Sequence, residues 1–491
     1  MKLKLRFFRL SAGKPIAFVH ELDAEKIGLH TGDRIEVKSN GSKTIAIIDI
    51  VKDFIKKGEI ALSQEIIKTL NINKTSSAHV EIDFADFPES ARIIQKKIDS
   101  KQYSKLELKE IMQDIVNNSL TEAEIAYFVS GVQHCGMSLN ETKWLAEAIL
   151  ETGKKISWGN KKIADKHSIG GIPGNRTTPI IVSICAAAGV TMPKTSSRAI
   201  TSAAGTADVI ESIAKVDLSI PELKKVVKKT GACMVWGGSL GLAPADDKLI
   251  RIEKLLNLDP EPQLIASILA KKLAVGSKYI LIDIPCGKGA KVSRHEAIKL
   301  KNKFVKIGGE LGLTLKIVLT DGTEPIGNGI GPTLEIKDVL KVLERKNPPN
   351  DLENKSLKLA GLILEMLGKC DKGRGFIKAK QILNSGAAFK KFKEIISAQK
   401  GNLKNLGKAK FSRDIKSEKS GVIKEIENKS INYLARLAGC PLDKNSGIYL
   451  YKHKGDKIKK GETILTIYSE SKHKLREALK FYKTSKPIKQ A

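Results

Sequence analysis

The sequence lacks the features that mark several common protein classes. Its six cysteines, Cys135, Cys185, Cys233, Cys286, Cys370 and Cys440, are scattered, with no CxxC and no Cys/His cluster. That spacing argues against a structural zinc site and against a disulfide framework, and it fits a reducing compartment. Aromatic residues are only 5% of the chain, too sparse for an evident base-stacking surface. The longest apolar stretch, residues 180–190, falls far short of the roughly 20 residues that a membrane-spanning helix needs. The opening Met1-Lys2-Leu3-Lys4-Leu5-Arg6 alternates charge with apolar residues, so no secretion signal is expected there. A cytoplasmic protein without a membrane partner is the expectation. Acidic residues are in short supply as well: 54 against 85 lysines and arginines, for a formal net charge of +31.

The basic excess is mostly lysine and runs the whole length of the chain. It reads as a solvated surface rather than a nucleic-acid footprint, and no specific nucleic acid is expected as partner. Attraction of an anionic substrate is a secondary benefit.

What is present is enough apolar material, 41% of 491 residues, for two to four cores. The expected class is α/β and α+β multidomain. Residues 1–88 show alternation or β-branched enrichment at 2–10, 15–19, 34–37 and 44–50, with turn signals at Gly32-Asp33 and Asn40-Gly41. They predict a small β-barrel domain. Residues 89–160 carry helical spacing, with Thr121 and Asn140 as N-caps, and predict a helical domain joined by a helical segment near 214–230. Residues 161–405 alternate strands with helices and predict an α/β catalytic domain on a central mixed sheet. Residues 406–491 predict a C-terminal α+β domain, with a turn at 455–461 like that of a biotinyl/lipoyl sandwich but without its attachment motif.

Four stretches carry chemistry. The first runs from Asp165-Lys166-His167-Ser168 through Gly170-Gly171 to Thr177-Thr178-Pro179 and opens an apolar helix. Glycines let backbone N–H groups approach an anion, and the helix start favours negative charge. Lys166 supplies a countercharge, while Ser168 and Thr178 can donate hydrogen bonds. The spacing is not that of a P-loop. A plain tight turn would explain the glycines, but not a lysine, a histidine and several hydroxyls crowded onto it.

The second stretch, Lys194 to Asp208, packs Ser196, Ser197, Arg198, Thr201, Ser202 and Thr206 among small residues, with Ala199 and Ile200 between them. Arg198 could grip a phosphate bidentately. The third is Leu258-Asp259-Pro260 before a helix on which Ser267 and Lys271 share a face. By spacing alone Asp259 is an ordinary acid complementing a helix start. The fourth is the Gly/Lys loop Cys286-Gly287-Lys288-Gly289-Ala290-Lys291 after a buried strand, a place where α/β proteins hold ligands.

Taken together these stretches resemble the thymidine/pyrimidine-nucleoside phosphorylase family, from about residue 111 to the end. The most specific pieces are Lys166-His167-Ser168-x-Gly170-Gly171 and Ser196-x-Arg198 running to Gly205-Thr206-x-Asp208. Leu242-Ala243-Pro244-Ala245-Asp246 and the run from Ala266 to Lys272 support them. Ser202 stands where nucleoside phosphorylases have His, which makes the chain similar to the AMP-cleaving branch; that branch also has an extra N-terminal β domain. Gly241 departs from the Asn expected there.

The resemblance implies that AMP and inorganic phosphate are substrates and that free base and ribose 1,5-bisphosphate are products, with related nucleoside monophosphates also possible. It implies a homodimer or higher homo-oligomer whose domains close over the substrates, and no metal or cofactor. It also implies residue roles: Asp259 as proton donor, and Gly171, Ser197, Arg198, Ala199, Ile200, Thr201, Ser202, Thr206, Ser267 and Lys291 as nucleotide contacts. Lys166, Ser168, Thr178, Ser196 and Thr206 correspond to contacts of inorganic phosphate. The alternatives are a pyrimidine-nucleoside phosphorylase, a phosphoribosyltransferase, for which no acidic metal-handling pair is seen, and a non-catalytic RNA-binding protein.

Overall fold

The computed structural model describes every residue except 40, 73–77, 201 and 405. Asn40 of the expected Asn40-Gly41 turn and Thr201 of the second motif therefore lie outside the described residues. The chain forms two compact units, Met1–Thr152 with Pro244–Ser267, and Gly153–Ala243 with Ile268–Ala491.

The first unit begins with a barrel. In β1 (Lys2–Arg6) the buried Leu3 and Leu5 alternate with exposed basic residues, so one face turns inward. The same period places Ala17 and Val19 of β2 (Ile16–His20) and Ile35 and Val37 of β3 (Arg34–Ser39) in one core. With β4 (Ser42–Val51), β5 (Glu59–Leu62) and β6 (His79–Phe84), the strands close in the order β1-β5-β2-β4-β3-β6. Strand β6 pairs antiparallel with β1, which leaves no free edge. Two short helices, α1 (Glu21–Lys26) and α2 (Gln64–Thr69), complete this part. Strand β5 escapes a sequence reading because it is four residues long and buried on three of them, too short to display a period.

Helices α3 (Glu89–Ile98), α4 (Lys105–Asn117), α5 (Glu122–Cys135) and α6 (Leu139–Glu151) follow. Thr121 caps α5 as expected, in a reciprocal box with Glu124. Asn140 does not cap α6. That role falls to Ser138, because Glu141 sits three residues beyond it and returns a bond to its backbone. The helix added from later in the chain is α10 (Pro244–Leu256), which packs on α4 and α5. The segment expected to do so, near 214–230, instead contains α9 (Ile220–Thr230), packed on strand and helix of the second unit. Its apolar face, Leu223, Val226 and Val227, is equally amphipathic, so helical period alone could not say which core it joins.

In the second unit β7 (Ala164–Ser168), β10 (Tyr279–Cys286) and β11 (Thr314–Asp321) form a parallel sheet in the order β11-β10-β7. Strands β8 (Met192–Ser196) and β9 (Ala232–Trp236) pair in parallel, and a parallel bridge from Ile163 to Thr191 links the two groups. The sheet expected to be mixed is thus parallel at every such pair among the described residues, as crossovers through helices require. Those crossovers are α7 (Thr177–Ala187), α8 (Thr206–Glu211), α9, α11 (Glu261–Ala274) and α12 (Arg294–Glu310). Helix α7 is buried almost all round and packs against α13 (Pro332–Glu344), α14 (Asn350–Met366), α15 (Gly375–Asn384) and α16 (Ala387–Ala398).

The C-terminal part contributes β13 (Phe411–Lys416), β14 (Gly421–Ile426), α17 (Asn428–Ala438), β15 (Gly447–Leu450), β16 (Lys457–Ile458), β17 (Thr463–Ser469), α18 (Lys472–Ser485) and β18 (Ile488–Gln490). The short strand β12 (Gly329–Ile330), just before α13, pairs with β15, so the α/β and C-terminal parts share a sheet, β12-β15-β17-β13.

Candidate functional site

The site is built on β7, where Asp165 and Lys166 are neighbours and so project to opposite faces of the sheet. Each face holds a buried aspartate between two lysines. On one, Asp165 lies 3.1 Å from Lys194 Nζ and 2.7 Å from Lys272 Nζ. On the other, Asp283 of β10 lies 3.8 Å from Lys166 Nζ and 3.3 Å from Lys355 Nζ of α14. When all six groups are ionised, four lysines against two aspartates leave a surplus of two positive charges inside the domain.

Burial sets the acid–base state of this cluster. It disfavours the ammonium of Lys166 and pulls its pKa down to about 8, against the attraction of Asp283. Burial and the charges of Lys272 and Lys194 hold His167 well below the usual histidine range, so its imidazole is neutral at pH 7. For Asp283 burial works against the carboxylate, but Lys355 and Lys166 outweigh it and keep the group ionised.

Between β7 and α7 the chain turns through Gly170, Gly171 and Gly174, all at positive φ. At Gly174 a Cβ would also run into the carbonyl oxygen of Ile326, so only glycine fits. The turn delivers Thr177 and Thr178, both buried, at the start of α7. Lys166 Nζ donates to Thr177 Oγ1 at 3.1 Å. The preceding residue, Arg176, is buried and donates to Glu335 Oε2, Thr206 Oγ1 and the Ala204 carbonyl at 2.7, 2.7 and 2.8 Å. Burial raises the Glu335 carboxyl to about 7 even beside that guanidinium. Lys166 and Thr206, far apart in two motifs, therefore meet through the adjacent Thr177 and Arg176.

Among the described residues, Ser168 Oγ and Asn175 Oδ1 of this turn are buried and make no hydrogen bond, and Asp283 Oδ2 and Lys355 Nζ meet only as an ion pair. Buried polar atoms are ordinarily satisfied, so the Ser168 hydroxyl, together with two lysines that share the single carboxylate of Asp283, is positioned for an anion.

The second motif folds into a loop held from within. Ser196 Oγ donates to the Val235 carbonyl at 3.3 Å, and Ser202 Oγ to the Ala204 carbonyl at 2.9 Å. The N–H groups of Ala199 and Gly205 both donate to Asp208 Oδ2, at 2.7 and 2.8 Å. Arg198, read from the sequence as a phosphate grip, directs its fork at Glu211, with nitrogen–oxygen distances of 2.7 and 2.6 Å, and lies over the Trp236 ring. The bonded carboxylate raises the guanidinium pKa, and the guanidinium in turn lowers Glu211 to about 2. Ser197 is exposed, and Ala199 and Ile200 are half-buried.

Lys291 flanks the first loop: its Cβ is 3.5 Å from where a side chain on Gly171 would begin. Asp259, exposed, and Ser267, half-buried, belong to the first unit, one just before α11 and the other within it. Among the described residues there is no group of three or more His, Cys, Asp and Glu placed to hold a metal ion. No helix among them is long and apolar enough to cross a membrane.

Sequence reasoning assigned no role to Asp165, Arg176, Lys194 and Lys272, although they lie in or beside its motifs, and did not single out Asp283, Glu335 or Lys355. Asp283 carried a signal, because a lone acid within the apolar run Tyr279–Cys286 has to find a charge partner. Lys355 carried none, being one lysine among many on helix surfaces.

This architecture is that of a known class. Three family descriptions match in chain order: a glycosyl transferase family helical bundle domain over residues 91–153, a glycosyl transferase family a/b domain over 160–389, and a pyrimidine nucleoside phosphorylase C-terminal domain over 422–489. Among solved structures, anthranilate phosphoribosyltransferase from Thermus thermophilus is similar in fold, with a TM-score of 0.53 at 15% identity, covering 62% of this chain and 99% of that one.

Full-length relatives narrow the assignment. AMP phosphorylase of Pyrococcus furiosus is 42% identical, covering 100% of this chain and 98% of the relative. That of Methanococcoides burtonii is 41% identical, with 99% and 97% covered, and AMP phosphorylase 1 of Archaeoglobus fulgidus is 39% identical, with 97% and 95% covered. The chain belongs to the AMP phosphorylase family.

Proposed function

We propose that this protein is a pentosyltransferase that cleaves AMP with inorganic phosphate to give adenine and ribose 1,5-bisphosphate. The observation that carries the reading is the buried surplus of positive charge beneath a glycine turn and the start of α7, where Lys166 and Lys355 share the one carboxylate of Asp283 and the Ser168 hydroxyl makes no hydrogen bond. A phosphate dianion supplies the missing countercharge and acceptors together. The full-length likeness to AMP phosphorylases supports the choice of substrate.

In this reading Lys166, Ser168, Thr178, Ser196 and Thr206 hold orthophosphate. Gly171, the stretch of residues 197–202, Thr206, Ser267 and Lys291 hold the nucleotide, with Arg198, bonded to Glu211, bracing that stretch rather than gripping the phosphate. As the bond from C1′ to the base nitrogen lengthens, the sugar gains oxocarbenium character, as in glycoside hydrolysis. A phosphate oxygen forms the new bond to C1′, and the base leaves with the electron pair of the old one. Asp259 delivers a proton to the departing base, a contribution of about 10²–10⁴-fold for a general acid. Lys166 keeps the attacking dianion in place and stabilises it as charge moves. A homodimer and a cytoplasmic setting belong to the same proposal and rest on the family likeness.

The test is release of adenine from AMP by the purified chain with and without phosphate, scored beside adenosine and thymidine. Phosphate-dependent cleavage of AMP alone supports the reading. Equal cleavage of thymidine or adenosine points to a nucleoside phosphorylase, and no cleavage at all defeats the proposal.

A further inference from the structure

Helix α17 presents three polar side chains at four-residue spacing, Asn428, Asn432 and Arg436, which places them on one face. Between them they reach the backbone of the Gly/Lys loop, the Gly171 turn and the segment around Ser202. Asn428 Nδ2 donates to the Gly322 carbonyl at 2.9 Å and to the Gly289 carbonyl at 3.3 Å, beside Lys291. Asn432 Nδ2 donates to the Gly171 carbonyl at 3.1 Å, and its Oδ1 accepts from the Ala203 N–H at 2.9 Å. Arg436 donates to the carbonyls of Ile200 and Ser202 at 3.0 and 2.9 Å. Asn428 and Asn432 are buried, so these bonds face no competition from water.

We infer that α17 positions the nucleotide loops of the α/β domain, with Asn432 as the residue that sets the spacing between the Gly171 turn and the 199–203 loop. This rests on the proposed assignment of those loops to AMP. The two loops come from separate motifs, and Asn432 bonds both through one planar amide: a donor to one and an acceptor from the other. A side chain with only one of these capacities cannot hold both. The phosphate-side residues Lys166 and Thr206 are held by other bonds, to Thr177 and Arg176, and neither bond involves α17. Asn432 is thus a positioning residue for the nucleotide, not for orthophosphate.

The experiment compares steady-state kinetics of the full chain with Asn432→Ala, Asn432→Asp and Arg436→Ala. Each lost hydrogen bond is worth about threefold to tenfold in nucleotide affinity. Asn432→Ala is expected to raise KM for AMP by about tenfold or more, with KM for phosphate unchanged within about twofold. Asn432→Asp keeps the acceptor for Ala203 but sets a carboxylate against the Gly171 carbonyl, so it should impair AMP binding at least as much as alanine does. Arg436 is exposed at the helix end, so its alanine variant keeps the test available should the Asn432 variants fail to fold; a rise of about threefold in KM for AMP alone is expected. Equal rises for AMP and phosphate, a lower kcat with both KM values unchanged, or no kinetic change would overturn the inference. Failure of the parent protein to cleave AMP would instead strike the proposed function. Titration of AMP onto the variants without phosphate reads the affinity directly and separates a positioning effect from a lower folded fraction.

Discussion

Lys166 ionises at about 8 because it is buried, whereas an ordinary lysine does so at about 10.4. If its ammonium holds the attacking phosphate, phosphate binding weakens as pH rises through about 8. The protonated fraction falls from about 0.9 at pH 7 to about 0.1 at pH 9, so the apparent KM for phosphate should rise about tenfold over that interval. Stability without phosphate moves the other way. The unfolded chain keeps the Lys166 proton up to about 10.4, and the folded chain releases it at about 8, so the unfolded state binds more protons between those values. Raising pH therefore favours the folded state, by at most about 3 kcal/mol from this group. Denaturant titrations at pH 7.5 and 9.5 read that change as the difference between the parent and Lys166→Met, which removes the contributions of other lysines. Lys355 is among the charges that disfavour the Lys166 ammonium, so Lys355→Met should move the inflection in phosphate KM above 8. A flat phosphate KM from pH 7 to 9.5, or an inflection unmoved in Lys355→Met, would refute the assignment of Lys166 as the phosphate's countercharge.

Three more outcomes are expected. At pH 7, Lys355→Met should raise KM for phosphate by about 10- to 150-fold, the worth of a charged hydrogen bond at about 1.5–3 kcal/mol, while AMP affinity measured by titration stays unchanged. Asp259→Asn should lower kcat for AMP by about 10²–10⁴-fold without an equal change in either KM; near-normal turnover would remove it from the role of acid. Gly171→Ala places a side chain at φ +90 beside Lys291, which should cost about 1–2 kcal/mol of stability and raise KM for AMP, as thermal melts and initial rates would record.

Much of the architecture was legible from local pattern. Alternation in Lys2–Arg6, the N-cap Thr121, and the apolar run that became β10 each reflect a preference that a few consecutive residues express by themselves. Lys166, Gly171, Thr206 and the loop around Arg198 stood out for a related reason: small, hydroxylic and basic residues crowded together have few structural explanations. Other features depended on what lies across the fold. Helix α9 and helix α10 are both amphipathic, and which of them joins the helices of the first unit is decided by packing, not by period. Arg198 looked free to hold a ligand phosphate, yet Glu211, Asp208 and Trp236 surround it in the folded chain.

The sequence by itself determined the order of the domains, the family and the chemical types gathered in the ligand loops, because these are written in neighbouring residues. Only the tertiary structure decided that Asp283 lies between Lys166 and Lys355, that Arg176 joins two motifs, and that Asn432 spans two loops. Charge and hydrogen-bond partners separated by many residues in the chain act through distance in space, and folding alone sets that distance.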